Sequence, residues 1–421
     1  MPNRLNDAIS RCLKDKFSTE GTNCLKFRYD VKYSSEDDSR RIDVRYQFEK
    51  ANEPSTKQGT NCFTAVVKDS TSDASNSNEF TMHLVVLPQI KEIFKEHNVI
   101  WNGHVTKFGV ENFYFKDNFM FLEYQPSGNI AWSSLASSDA KTVLRKLAQF
   151  HACSLVYLKK ISIDNIISKT SPLLANNEVE TRMYAAIKTI EAYWPEFKES
   201  TTKMRSCVET FRKRLTHLLD RNGQTLKVIA LGEPYMKNMH FRCQTNRYGN
   251  PERVEDVLFC NFKNCFIGSC GYDLNLFLKT CLNFDALTRE RYKLLHCYYE
   301  HFSATLKTLN ENSIPSWQTI LDDVHEFEFI GFYGLLCEMP FCQVKSDLPK
   351  CYILGDTRNK EIVPISFEQE YEIILKTSHI EEIFKYGLYR FNELRVWNSN
   401  IDWEGKQENV DEFVKLNAPI N

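Results

Sequence analysis

The chain has 421 residues, of which 42% are hydrophobic and 13% aromatic, enough for a large core and for two or three domain-sized units. Lys plus Arg number 53 against 55 Asp plus Glu, without the clustered basic excess of a nucleic-acid binder, which argues against a polyanionic partner. The polar start, Met1 to Asp7, does not read as a secretory signal, and the longest apolar stretch, Phe329 to Leu336, is far shorter than the roughly 20 residues of a membrane span. A cytoplasmic chain with no membrane span is therefore expected. In that setting the 14 cysteines read as reduced thiols. Cys260, Cys265 and Cys270 recur without a CxxC pair, so they read as buried or incidental rather than metal-bound.

In chain order, Asn6 to Lys16 has the pattern of a short amphipathic helix, with Leu5, Ile9, Leu13 and Phe17 at helical spacing. Leu25 to Tyr33 and the alternating run Ile42, Val44, Tyr46, Phe48 flank a polar turn at Ser34 to Ser39, which predicts an antiparallel hairpin. A third apolar run, Phe63 to Val67, ends at Lys68. The Ser-, Asn- and Asp-rich segment Asp69 to Glu79 predicts a mobile loop. Phe80 to His97 then has helical spacing interrupted by Pro88. A second hairpin is predicted from Phe113–Phe115 and Phe119–Tyr124 across residues 116–118.

The period changes after residue 124. Ser138 is a candidate N-cap for a long helix carrying Leu144, Leu147, His151, Leu155 and Leu158 on one face. Nearly everything beyond reads as helix, including Leu274 to Leu282, Arg289 to Leu309 and Glu368 to Leu394. The exceptions are a strand at Val228 to Leu231 and a hairpin, Met239–Arg242 with Val257–Cys260, turning through Asn246 to Pro251. A β-rich part of about 120 residues thus precedes a helix-rich part: an α+β fold.

The lone hairpin carries the candidate chemistry. Glu233 and Asn238 lie in the loop entering one strand, and Asn261 lies at the exit of its partner. Their polar ends can converge at one end of the hairpin. In phosphoryl transfer, a carboxylate there orients the attacking hydroxyl, an amide binds magnesium, and a second carboxylate holds the metal on the phosphates.

The segments Leu231-Gly-Glu-Pro-Tyr-Met-Lys-Asn238, Asn261-Phe-Lys263 and Gly268-Ser-Cys-Gly-Tyr-Asp273 resemble the catalytic core of the ecdysteroid-kinase-like (CHK-like) family, abundant in arthropods. That family shares its fold with aminoglycoside phosphotransferases and choline kinases. Phe63-Thr-Ala-Val-Val-Lys68 resembles the strand bearing the ATP-contacting lysine, and Phe119-Met-Phe-Leu-Glu-Tyr124 the hinge beside adenine. Leu147-Ala-Gln-Phe-His-Ala152 and Phe329 to Leu336 resemble two of its helix signatures. The resemblance implies a two-lobed, protein-kinase-like fold. Its N-lobe would span residues 1–124 and its helical C-lobe residues 125–421, with the catalytic-type loop at 231–238. It implies ATP and Mg2+ as cofactors, with Lys68, Glu123 and Tyr124 at the nucleotide, Glu233 and Asn238 in catalysis, and Asn238 and Asn261 at the metal.

The chain departs from the family pattern at several of these positions. Leu231 replaces a histidine, Glu233 the catalytic aspartate and Asn261 the metal-binding aspartate. His83 stands roughly where the glutamate that pairs with Lys68 belongs, so Lys68 is expected to lack its ion-pair partner. Asp273 matches a helix-start position that braces the loop. The added methylene of Glu233 moves its carboxylate by roughly 1 Å, a misplacement that can cost about a hundredfold in rate. Asn261 removes a charge that magnesium prefers. The expectation is a pseudokinase that binds a small hydroxylated, sterol-like ligand or a protein partner. The alternatives are an active ATP-dependent O-phosphotransferase acting on a small alcohol such as an ecdysteroid, and an interaction protein with a closed cleft.

Overall fold

The computed structural model describes residues 2–17, 22–33, 40–50, 61–69, 76–97, 100–101, 104–105, 107–110, 112–116, 118–123, 134–160, 167–220, 226–343, 351–354, 361–364, 366–376 and 378–397. Helix α1 (Pro2–Cys12) leads into strands β1 (Thr22–Tyr33), β2 (Arg40–Lys50) and β3 (Asn61–Asp69). Helices α2 (Asn76–Thr81) and α3 (Leu87–Glu96) follow, then the short pair β4 (Ile100–Trp101) and β5 (His104–Val105), then β6 (Asn112–Lys116) and β7 (Phe119–Glu123). The long strands form one antiparallel sheet in the order β1-β2-β3-β7-β6. Side-chain alternation gives this sheet two covered faces. Ile42, Val44, Ala65, Val67 and Phe121 pack with Leu5, Ile9 and Leu13 of the N-terminal helix, whereas Val66, Met120 and Leu122 pack with Phe80 of α2.

Residues 76–96 form one rod whose middle, Met82–Val86, widens to π-helical pitch. Pro88 stands just beyond, in the first turn of α3, where its missing N–H and ring break the ordinary ladder. The rod begins earlier than the sequence suggests: Asn76 to Glu79, read as loop, is helical. The Asp and Ser residues before it favour caps as readily as loops.

The second part is built from α4 (Ser137–Lys160), α5 (Pro172–Ala175), α6 (Val179–Tyr193), α7 (Lys198–Asp220), α8 (Cys270–Thr280), α9 (Phe284–Arg289), α10 (Arg291–Thr308), α11 (Trp317–Glu326) and α12 (Glu328–Tyr333). Strands β8 (Lys227–Ala230), β9 (Met239–Thr245), β10 (Pro251–Phe259) and β11 (Phe266–Ser269) interrupt the helices; β8 pairs with β11 and β9 with β10. The chain continues through a π-helical segment, Gly334–Glu338, into α13 (Met339–Gln343), β12 (Cys351–Leu354), β13 (Glu361–Pro364), α14 (Phe367–Ile374) and α15 (Ser378–Glu393). The β12–β13 hairpin has no counterpart in the sequence reading, because its four-residue strands are too short for period-2 alternation to stand out. Likewise, the single helix expected over Glu368 to Leu394 is two. No helix among the described residues is long and apolar enough to cross a membrane.

Every residue of α8 is buried, and this helix fixes the region that matters most. Its first turn receives a carboxylate from α11: Asp323 accepts from Ser269 Oγ at 2.5 Å, Gly271 N at 2.8 Å and Cys270 Sγ at 3.1 Å. Gly271 has no side chain because a Cβ there would strike the Asp323 carbonyl. Replacing Asp323 by Ala strips these donors of a charged acceptor in a dry site. It should destabilise the protein by about 3 kcal/mol, read as a lowered urea midpoint with an unchanged slope; a loss under about 0.5 kcal/mol would show that the cap is dispensable.

Candidate active site

Along β3, Val66 faces α2 while Ala65 and Val67 face α1, so the period-2 rule turns Lys68 toward α2. There Lys68 Nζ meets Glu79 Oε1 at 2.6 Å, with the Lys68 side chain 11% exposed and Glu79 1%. Lys68 therefore has its carboxylate partner, and the expectation that His83 had displaced it is wrong. Glu79 was overlooked because it sits at the end of a polar run taken for a loop. Its place one residue before the apolar period of Phe80 to His97 was the available signal.

His83 lies one helical turn further on. It is buried, with Nε2 3.8 Å from Glu79 Oε1, and its ring meets Phe262 edge-on at 5.3 Å. Burial pushes its pKa down to about 4, Lys68 adds to the fall, and Glu79 offsets only part of it. The imidazole is neutral at physiological pH.

The catalytic-type loop is held by its backbone. Asp273, in the first turn of α8, accepts from Leu231 N at 2.6 Å and from Gly232 N at 3.0 Å. His151 of α4 meets the same carboxylate through Nε2 at 3.1 Å and Tyr298 OH through Nδ1 at 2.8 Å. Gly232 has φ +79°, a left-handed conformation, and a Cβ there would run into the Asn264 carbonyl oxygen, so glycine is required. Leu231 is buried and contributes its N–H but no polar side chain.

Beyond the bend, Glu233 is partly exposed and Asn238 is buried. Asn238 Nδ2 donates to the Glu233 carbonyl at 2.9 Å and approaches Glu233 Oε2 at 3.5 Å. Asn261, held at φ 63°, donates from Nδ2 to Asn238 Oδ1 at 3.1 Å, while its own Oδ1 is buried without a hydrogen-bond partner. The three residues expected to converge thus do so as a chain of amides ending on Glu233.

This chain is clasped to the lysine side of the site. Asn78 of α2 donates to the carbonyls of Lys263 (3.3 Å) and Cys265 (3.0 Å) and accepts from Ser168 N at 3.3 Å. Burial raises the Cys265 thiol pKa well above its usual value, and the charges of Asp273, Glu79 and Glu233 push it the same way. Glu123 stands exposed at the end of β7, opposite Ala65. Tyr124 lies outside the described residues. Sequence reasoning did not single out Asn78 or Tyr298, since neither polar residue has a spacing that marks it.

The model of the ecdysteroid kinase-like family matches residues 41–311. Among solved structures, the chain is similar to a choline kinase from Cryptosporidium parvum Iowa II, with 11% identity, 93% of this chain and 96% of that one covered, and a TM-score of 0.42. It is similar to the choline kinase LicA from Streptococcus pneumoniae, with 10% identity, coverage of 92% and 99% and a TM-score of 0.31. It is also similar to an aminoglycoside phosphotransferase from Alicyclobacillus acidocaldarius, with 10% identity, coverage of 88% and 92% and a TM-score of 0.31. No curated protein matches the chain.

The neutral His83 makes a pH prediction whose sign is fixed. Its pKa is about 4 in the folded chain against an ordinary 6.5, so between these values the unfolded chain binds the extra proton. Its contribution is complete above pH 6.5 and is lost as pH falls toward 4, a change of about 3 kcal/mol. Unfolding free energies of the wild type and His83→Gln, measured from pH 7.5 to 4, should differ by an amount that shrinks on acidification. Parallel curves would place the wild-type titration elsewhere.

Proposed function

The chain belongs to the ecdysteroid kinase-like family, and we propose that it is a pseudokinase, a two-lobed kinase-like protein that binds a ligand without efficient phosphotransfer. In this reading residues 1–124 and 125–421 are the two lobes, and the family's substrate class makes a small hydroxylated, sterol-like molecule the first candidate for the cleft. A cytoplasmic location belongs to the same reading.

One observation carries the proposal: the hydrogen bond from Asn261 Nδ2 to Asn238 Oδ1 at 3.1 Å. Kinases of this kind generally use ATP with Mg2+, which sits between an amide oxygen and a carboxylate. Two such oxygens repel each other and call for a cation between them. A donor facing an acceptor calls for none. The oxygen that Asn238 would offer the metal is engaged by the Asn261 amide. Magnesium also prefers charged oxygen ligands, and among the described residues no group of three or more His, Cys, Asp or Glu is placed to hold a metal. These residues do not fit Mg2+, and no step is assigned to it.

A second reading, an active ATP-dependent O-phosphotransferase with Glu233 as base, draws on the Lys68–Glu79 pair at 2.6 Å, the arrangement that positions nucleotide phosphates. In the first reading the same pair serves nucleotide binding alone.

Melting temperatures with ATP in Mg2+ and in EDTA separate the two. A ligand at a hundred times its dissociation constant stabilises the folded state by about 2.7 kcal/mol. The pseudokinase should give the same shift in both buffers, and Asn261→Asp should make the shift depend on Mg2+. A wild-type shift that needs Mg2+, or turnover of ATP with an alcohol at roughly 1–100 per second, would overturn it in favour of the active enzyme.

A further inference from the structure

The rod of residues 76–96 follows the first three strands of the sheet in the chain but packs with the helical half. Met82, Val86, Ile90 and Phe94 share one apolar core with Leu147 and Phe150 of α4. The rings of Phe94, Phe108 and Phe150 touch in series at 5.5 and 5.4 Å. Segment 107–110, beyond the rod, is fastened to the same half. The Phe108 carbonyl accepts from Phe259 N at 2.6 Å, Gly109 bridges to Phe259, and the Lys107 carbonyl accepts from the buried Lys146 Nζ at 3.0 Å. Among the described residues, the sheet instead shares a core of its own with the N-terminal helix. It meets the rod through a smaller patch, Val66, Met120 and Leu122 on Phe80, and through Lys68 on Glu79.

Asn78 fastens the end of the rod that carries Glu79. Its side-chain amide reaches the Lys263 and Cys265 carbonyls and Ser168 N, all in the helical half. The segment it grips also backs the catalytic-type loop, since the Asn264 carbonyl oxygen lies 2.2 Å from where a Cβ on Gly232 would stand. One amide thus ties the carboxylate that meets Lys68 to the support of the bend at Gly232.

We propose that Asn78 is a positioning residue that fixes Glu79 to the helical half, so that the sheet moves against the rod and brings Lys68 onto a preset carboxylate. The boundary between moving parts then runs between the sheet and the rod, not at residue 124. A loose rod would have to be ordered each time Lys68 pairs, whereas a fastened one presents Glu79 with that entropy already lost on folding. The consequence for a nucleotide rests on the reading of Lys68 proposed above; the fastening of Glu79 does not.

Acetylation of the full chain, read by mass spectrometry as the rate at Lys68 relative to the exposed Lys188, tests this without any ligand. Asn78→Leu removes the hydrogen bonds of the amide and should raise the relative rate about tenfold. In a Glu79→Gln background, where Lys68 has already lost its charged partner, the same substitution should change the rate less than about twofold. An equal factor in both backgrounds would make Asn78 a structural residue with no particular link to Glu79. No change in either would show that Glu79 is held without it, and both results overturn the proposal. Should Asn78→Leu misfold by circular dichroism, hydrogen exchange of the wild type in low urea decides. Strands β1 to β3 should open first while the rod stays protected together with α4, and a rod that opens with the sheet overturns it. With ATP, Asn78→Leu should weaken binding about tenfold, read from the melting shift. A wild type whose melting ignores ATP sinks the nucleotide reading, and the acetylation factors still decide this one.

Discussion

The geometry of the candidate site depends on one buried carboxylate. Asp273 has no exposed surface and would be costly to bury were its oxygens unmet. It is answered by two backbone N–H groups, from Leu231 and Gly232, and by His151 Nε2. It also sits in the first turn of α8, where the helix dipole favours a negative charge. Tyr298 fixes the far nitrogen of His151, so α4, α8, α10 and the loop meet on a single group. A satisfied network of this kind has one low-energy arrangement, and the bend at Gly232 inherits that uniqueness.

Backbone bracing explains how the framework persists while the side chains around it change. Leu231 donates through its N–H, and any residue other than proline has one. A histidine or a leucine at that position therefore leaves the bend equally well held. The pair proposed for the metal position, Asn238 and Asn261, has no such tolerance, because a metal site's function resides in side-chain oxygens. Exchanging one carboxylate for an amide at Asn261 turns two acceptors into a donor and an acceptor, which then satisfy each other. On the proposed reading, the same fold would lose its metal chemistry through one atom's change of character without disturbing its packing.

The contrast also explains which parts were legible in the sequence. The β2, β3 and β7 strands and the long helix α4 were readable because alternation and 3.6-residue spacing over many residues leave few other assignments. Convergence of Glu233, Asn238 and Asn261 could be read from their places at one end of a hairpin. The direction of their hydrogen bonds could not, since a sequence says nothing about which way an amide faces. Glu79 was hidden by composition: three residues of polar context outweighed the helix that tertiary packing against Val66 and Met120 imposes. His83 was misassigned for the same reason, as its apparent alignment with the lysine's partner came from counting along a helix whose start was placed too late.

The surviving Lys68–Glu79 pair and the altered Asn261 are electrostatically consistent with each other. If a nucleotide binds as the proposed reading has it, a carboxylate at position 261 about 5 Å from its phosphates would, with an effective dielectric near 20, cost about 3 kcal/mol per unit charge unless a cation stood between. An amide there imposes no such cost. On the proposed reading, removing the charge removes both the means of holding a metal and much of the need for one. Lys68, kept in place by Glu79 and by the clasp of Asn78 on the Lys263 and Cys265 carbonyls, remains as a cation that can meet an anionic group directly. On the reading proposed above, such a cleft would favour binding over transfer, because the charge that develops on a moving phosphoryl group would go without a metal to answer it.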